Sequence, residues 1–379
     1  MTEPAPIAVY IHWPYCSRIC PYCDFNVVRD RGRGDQQRGL VGAIAADLEA
    51  QAVLTGPRRL ISIFFGGGTP SLMDPEWTAG LIDTARRLWP TQGPVEVSLE
   101  ANPTDAEAGR FAAFAEAGVG RLSLGVQAFN DAALSFLGRN HDAASAGRAL
   151  DLALRCFSRV SLDLIYALPG QTVEDWASEL ASAASSGAEH ISPYQLTIEA
   201  GTAFDRQMRR GAFIPSTDET GAALYETTQD VLSSAGFEAY EVSNHARGPD
   251  ARSAHNLAYW RGYDYAGAGP GAHGRLTVDG VRLATEAEPG IDAYLAAVAE
   301  TGVGFRTRER LSARDAAVER LLMGLRTFEG VSLADLKPLG LEAAPAMQAA
   351  GLVHMEGGRL IATPAGRAVL DRVTAELAA

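Results

Sequence analysis

Residues 10–25 read "YIHWPYCSRICPYCDF" and hold Cys16, Cys20 and Cys23, three of the four cysteines in a chain of 379 residues. The run that leads into them, "IAVYIHW", is short, apolar and rich in β-branched and aromatic residues, which predicts a strand. The thiols then lie on the loop at its carboxyl end. Their C-x3-C-x2-C spacing is too local for disulfides that would staple a fold, and points to a metal or cluster site. Iron–sulfur clusters take soft thiolates, usually about four. Three would hold three irons of a [4Fe–4S] cube and leave one iron open for a small molecule. A Cys3His zinc site, completed by His12 or another histidine, is the alternative.

Outward from this stretch, five further strand-like runs follow at intervals: "RLISIFF", "PVEVSLE", "RLSLGVQ", "RVSLDLIYAL" and "HISPYQLTIE". Between them lie helix-like segments such as "QQRGLVGAIAADLEAQAVL" and "TVEDWASELASAASSG". This alternation predicts parallel strands with helical crossovers, an α/β fold of six units that forms a partial version of the eightfold β/α barrel. In such a fold the chemistry belongs just after the strands, at the carboxyl rim. The cysteines follow the first strand and "GGGTP" (66–70) the second. "EANP" (100–103) ends the third, "GVQAF" (125–129) the fourth, "DLIYALPGQT" lies at the fifth and "PYQLTIEAGT" at the sixth.

After about residue 215 the pattern changes. "DETGAALYETTQDVLSSAG" reads as a helix and "FEAYEVSNHA" as a short strand with a polar exit. "HNLAYWRGYDYAGAGPGAHG" (255–274) is dense in aromatics, glycine and histidine. The tail reads as helix, turn, helix, a hairpin about Gly357-Gly358 and a last helix, a winged-helix-like layout. The expected division is a barrel over 1–215, a barrel-closing region over 216–298 and the winged-helix-like domain over 299–379. "GAGPGAHG" lacks the strand-to-helix setting of a phosphate loop. Cys156, in an apolar helical stretch, reads as core.

Composition narrows the function classes. Apolar residues make up 47% and charged residues 21%, as in a globular protein. The net charge of −13 disfavours nucleic acid and anionic membranes as partners. No apolar run reaches about 18 residues, and "MTEPAPIAVY" has no basic-then-apolar secretory pattern. A cytoplasmic protein without an integral membrane segment is expected.

The same residues carry a resemblance. C-x3-C-x-Y-C with an aromatic before the third cysteine, and a glycine motif after the second strand, resembles the radical S-adenosylmethionine (SAM) superfamily. In that family SAM chelates the open iron of a [4Fe–4S] cluster, and reduction cleaves it to methionine and a 5′-deoxyadenosyl radical. "YIHWPYC", "CPYCDF", "GGGTPSLM", "SLEANP", "RLSLGVQAF" and "SLDLIYALPGQT" are similar to one branch of it, that of oxygen-independent coproporphyrinogen III oxidase and the HemW-type haem chaperones. The resemblance implies Cys16, Cys20 and Cys23 as cluster ligands. It further implies Tyr10, Tyr22, Gly67, Gly68, Thr69, Glu100, Gln127, Arg139 and Asp163 as SAM contacts. Glycines allow close backbone approach, Glu100 suits ribose hydroxyls or an amino group, and Arg139 suits the methionine carboxylate.

Within the branch, oxidases carry a further cysteine two positions after the third ligand, where this chain has Phe25, and an extended segment before the first strand. "HNLAYW" (255–260) matches the H-N-x-x-Y-W motif of the HemW type, which implies His255 as a haem ligand. Imidazole is a common axial ligand of haem iron, while a hydrogen-bonded histidine closing the barrel mouth is the plainer reading. His245 and His273 flank the motif and are alternative ligands, although the structural reading comes first for each. The resemblance implies a haem chaperone serving apo-haemoproteins of respiration, a monomer or homodimer in transient contact near the membrane. A radical SAM enzyme acting on a porphyrin is the alternative.

Overall fold

The structure, a computed structural model, describes residues 3–379. Six parallel strands follow one another in the sheet as they do in the chain: β1 (Pro6–Trp13), β2 (Arg59–Gly67), β3 (Glu96–Ala101), β4 (Arg121–Gln127), β5 (Arg159–Tyr166) and β6 (His190–Gln195). Helices return the chain between them, beginning with Gly34–Thr55 and Pro75–Leu88. The six βα units expected from the alternation are therefore present, as a partial barrel.

Strand periodicity divides these residues into two faces. On β1, Ile7, Val9, Ile11 and Trp13 are fully buried in the main core, together with Leu40, Ile44 and Leu48 of the first helix. Each such side chain contributes about 1.5–3 kcal/mol by leaving water. The alternate residues Tyr10 and His12 face cavities inside. On β4 the outward set is Leu122, Leu124 and Val126, while Arg121, Ser123, Gly125 and Gln127 face inward.

The inner face is polar where a complete barrel is filled with aliphatic layers. Arg159 Nη1 donates to Glu96 Oε2 at 2.7 Å, and Ser123 Oγ donates to Asp163 at 3.0 Å. His190 bonds Ser161 Oγ at 2.7 Å through Nδ1 and Tyr240 Oη at 2.8 Å through Nε2. Buried polar groups of this kind are stable only when each has a partner.

Beyond β1 the sheet continues with β7 (Asp264–Ala268), parallel to it, then β8 (His273–Val278), β9 (Val281–Ala287) and β10 (Phe305–Arg310), all antiparallel. Beyond β6 lies the hairpin Glu238–Glu241 and Asn244–Ala246. The "DYAGA" of β7 carries no β-branched residue, so its propensity does not announce a strand. Its place is fixed by packing: a Cβ on Gly267 would lie 2.0 Å from the carbonyl oxygen of His273.

"HNLAYW" is a helix, Ala254–Trp260, seated at the barrel interior. Ser253 caps it by accepting from the amide of Asn256, and the buried carboxylate of Glu96 accepts from the amides of Ala254 and His255 at 3.1 and 3.2 Å. The tail folds around a second core of Leu321, Leu325, Val331, Val353, Leu360 and Val373. Its strands Val353–Glu356 and Arg359–Ala362 turn at Gly357-Gly358, both at positive φ, as the hairpin reading expects. This winged-helix-like unit grips the motif helix: Arg320 Nη1 donates to the Trp260 carbonyl at 2.9 Å, and Arg261 pairs with Glu329.

Candidate functional site

The carboxyl ends of the six strands converge on a cavity of about 490 Å³, within the range of about 300–1,000 Å³ usual for cofactor pockets. Every residue proposed from the sequence as a cluster, SAM or haem contact lines it. Cys16 ends the short strand Tyr15–Cys16, which pairs with Val28–Arg29 and so closes the cysteine loop on itself. The loop is fastened to the strand-2 exit by the amides of Gly68 and Thr69, which donate to the carbonyls of Trp13 and Tyr15, each at 2.8 Å.

Gly67 and Gly68 serve the chain itself before any ligand. Gly67 has φ of +111°, and a Cβ there would lie 2.5 Å from the His12 ring. A Cβ on Gly68 would lie 2.7 Å from the Tyr15 carbonyl oxygen, so the cysteine loop can pack this closely only on glycine. Gln127, at the end of β4, is a non-glycine residue at φ of +69° beside a register shift. Such strain collects where a site dictates the backbone.

Arg139 reaches across the cavity to the cysteine loop. Its Nη1 lies 3.3 Å from Cys20 Sγ and 3.5 Å from Tyr22 Oη, and its Nη2 donates to the Gly125 carbonyl at 2.9 Å and to Asn102. Its Nε is buried without a partner among the described residues. Burial pushes the Cys16 thiol up and the Cys23 thiol to about 11. Ligation to iron needs thiolates, so cluster assembly must release these protons.

Two carboxyl groups sit deeper. Burial, and then the nearby Asp163 charge, push Glu100 to about 8, although its Oε2 accepts from the Gly67 amide at 3.2 Å. Burial also raises Asp163 to about 6, against the opposing pull of Arg121 and the Ser123 hydroxyl. A cationic ligand entering here would ionise both.

The donor set fits an iron–sulfur cluster. Among the described residues no three His, Cys, Asp or Glu side chains converge on a single-ion site. His12, named for the zinc alternative, has both ring nitrogens engaged, with Tyr10 Oη at 3.1 Å and the Asn26 carbonyl at 2.8 Å. Three thiols on one cavity wall, with Arg139 beside them, suit a larger cluster with one iron left open to SAM.

His255 lines the same cavity and is satisfied without a metal. Its Nδ1 lies 3.0 Å from Ser62 Oγ and its Nε2 2.7 Å from Tyr259 Oη, while the ring stacks on Phe64 at 4.9 Å. Burial lowers its pKa to about 3, so the ring is neutral. Iron ligation by His255 requires one of these two bonds to break. His245, also buried, bonds Gln229 at 3.3 Å and stands outside the cavity lining.

Tyr259, the tyrosine of the H-N-x-x-Y-W motif, lines the cavity too, and so do three residues that the sequence reading does not single out: Asn102, Arg121 and Ser123. These three carry a legible signal. Asn102 lies inside "EANP", and Arg121 and Ser123 share the two-residue period of Gln127 on β4.

Comparison with known proteins agrees with this geometry. Residues 10–181 match the radical SAM superfamily and residues 311–369 the HemN C-terminal domain. The chain is 38% identical over 376 residues to the heme chaperone HemW of Mycobacterium tuberculosis, covering 98% of this chain and 95% of that one. It is 41% identical over 342 residues to the mitochondrial radical S-adenosyl methionine domain-containing protein 1 of Bos taurus, covering 87% and 76%. Among solved structures, coproporphyrinogen III oxidase (HemN) of Escherichia coli superposes with a TM-score of 0.81 at 20% identity, over 99% of this chain and 90% of that one, a likeness of fold. The superfamily is built around SAM and a [4Fe–4S] cluster, the two groups that the cysteine loop and cavity fit. The chain belongs to the radical SAM superfamily, in the branch that contains the HemW-type heme chaperones.

Proposed function

We propose that the protein is a haem chaperone: it binds haem beside a SAM-ligated [4Fe–4S] cluster and delivers haem to apo-haemoproteins, among them respiratory enzymes. The observation that carries this reading is the match to a heme chaperone along nearly the whole of both chains. Phe25, where oxidases of the branch carry a cysteine, supports the same reading.

In this proposal Cys16, Cys20 and Cys23 hold the cluster. Tyr10, Tyr22, Gly67, Gly68, Thr69, Glu100, Gln127, Arg139 and Asp163 surround SAM, with Arg139 on its carboxylate and Glu100 and Asp163 on its cationic and hydroxyl groups. The cluster, when bound, supplies one-electron chemistry at the open iron. His255 becomes a haem ligand only by giving up its bond to the Ser62 or the Tyr259 hydroxyl. No helix among the described residues is long and apolar enough to cross a membrane. The reading places the protein in the reducing cytoplasm, where the three thiols stay free for iron, meeting its acceptors transiently as a monomer or homodimer.

The second reading is a radical SAM enzyme acting on a porphyrin, favoured by the intact carboxylate and arginine lining of the cavity. Haem titration of cluster-reconstituted protein under anaerobic conditions, followed by transfer to an apo-haemoprotein, separates the two. Saturable binding and transfer without coproporphyrinogen III turnover support the chaperone. Turnover without haem binding overturns it.

A further inference from the structure

Beside the cluster cavity lies a larger one of about 760 Å³, between the barrel sheet and the winged-helix-like unit. Its apolar wall is aromatic: Phe25 from the cysteine loop, Tyr259 and Trp260 from the motif helix, and Tyr265 from β7, with Met323 from the helix Ala313–Gly324. Tyr259 and Tyr265 meet edge to face at 4.5 Å. Phe25 is 62% exposed, unusual for a phenylalanine unless something flat and apolar covers it. At the start of β8, His273 faces the same space and is exposed.

The other six histidines are placed differently. His12, His190 and His255 each have both ring nitrogens bonded. His141 and His245 each have one ring nitrogen bonded and line neither cavity. His354 lies on the distant hairpin of the tail. His273 is thus the imidazole that stands in a cavity of cofactor size with its ring accessible.

The polar wall is of mixed charge: Asp24, Glu100, Glu286 and Glu319 line it beside three arginines, Arg275, Arg282 and Arg326. Arg275 and Arg282 are held in place by Glu319, and Arg282 also by Asp264 behind the wall.

We propose that this second cavity is the haem seat and that His273 is the axial ligand of its iron. The proposal rests on the haem-chaperone reading and locates its ligand. The aromatic wall would take the porphyrin face, and the imidazole of His273 would take the iron. Tyr10, Phe25, Gly67, Glu100 and Tyr259 line both cavities, so haem and SAM are held on either side of one wall.

The test is an anaerobic titration of reconstituted full-length protein with ferric haem, read by absorption. Wild type is set beside His273→Ala, His273→Gly with and without added imidazole, His255→Ala and the distant His354→Ala. His273 is exposed, so its variants should fold and keep their iron content. The expected result is a shifted Soret band and at least tenfold weaker binding in both His273 variants, restoration of the band by imidazole in His273→Gly, and no change in His354→Ala. Wild-type binding that His273→Ala leaves intact overturns the assignment and spares the chaperone reading, most directly if His255→Ala moves the band instead. Absence of saturable binding by wild type overturns the chaperone reading itself, and the assignment with it.

Discussion

Arg139 Nη1 lies 3.3 Å from the Sγ of Cys20, so the cationic group proposed for SAM already touches a proposed cluster ligand. A charge-assisted hydrogen bond of this kind contributes about 1.5–3 kcal/mol. Arg139→Gln should therefore weaken SAM binding by about 10- to 100-fold. It should also shorten the life of the cluster, because the arginine supports the thiolate. Calorimetry with SAM and the rate of iron loss to a chelator measure the two effects; an unchanged SAM affinity would remove Arg139 from the site.

Gly68→Ala brings a methyl group 2.7 Å from the Tyr15 carbonyl oxygen, and backbone cannot swing aside as a side chain can. The cysteine loop has to shift. The expected cost is on the order of 1–3 kcal/mol, as for overpacking elsewhere, with less iron retained per chain than in wild type. Thermal unfolding and iron analysis on the same samples check this.

SAM affinity should rise with pH. Glu100 is raised to about 8 and Asp163 to about 6 in the free protein, and the sulfonium and ammonium groups of SAM favour both in ionised form. Affinity should climb as pH passes 6 and level above 8, and Glu100→Gln should remove the upper part of the climb. The stability of the free protein runs the other way. A carboxyl whose folded pKa is raised contributes stability below its unfolded value, about 4.3, and loses it as pH rises through 8. Glu100→Gln should thus unfold at a higher temperature than wild type in mildly alkaline buffer, with the gap closing in acid.

Glu96 binds Arg159 at 2.7 Å and accepts from two amides at the start of the motif helix. Although burial opposes ionisation, Arg121 and Arg159 hold its carboxyl below the usual range. Its stabilisation is present above about pH 4.3 and is lost as pH falls through the lowered folded value. Arg159 keeps its pair with Glu189, so Glu96→Ala should cost about 1–3 kcal/mol near neutral pH, by leaving the amides of Ala254 and His255 without their acceptor, and much less in strong acid. Urea unfolding at two pH values tests both claims.

Much of the site could be read without coordinates because its parts sit at strand ends. Once the alternation gives parallel strands, "GGGTP", "EANP", "GVQAF" and Asp163 must meet on one rim, whatever the details of packing. The lumen was less legible. Whether Arg121 or Leu122 points inward depends on register, and a shift of one residue exchanges the faces. The strand Asp264–Ala268 has only Tyr265 as a strand-favouring residue, and packing makes it a strand. The bonds of His255 were hidden for another reason: its partner Ser62 lies 193 residues away. Residue type alone does not tell a bonded imidazole from an open one.

The wall built from Tyr10, Phe25, Gly67, Glu100 and Tyr259 belongs to two cavities at once. Occupants of such neighbouring rooms are bound by reciprocity. Whatever factor one molecule imposes on the affinity of the other, the second imposes on the first. On the proposed reading, a haem carrier arranged this way holds its cargo or releases it by the state of the adjoining room, with no moving lid.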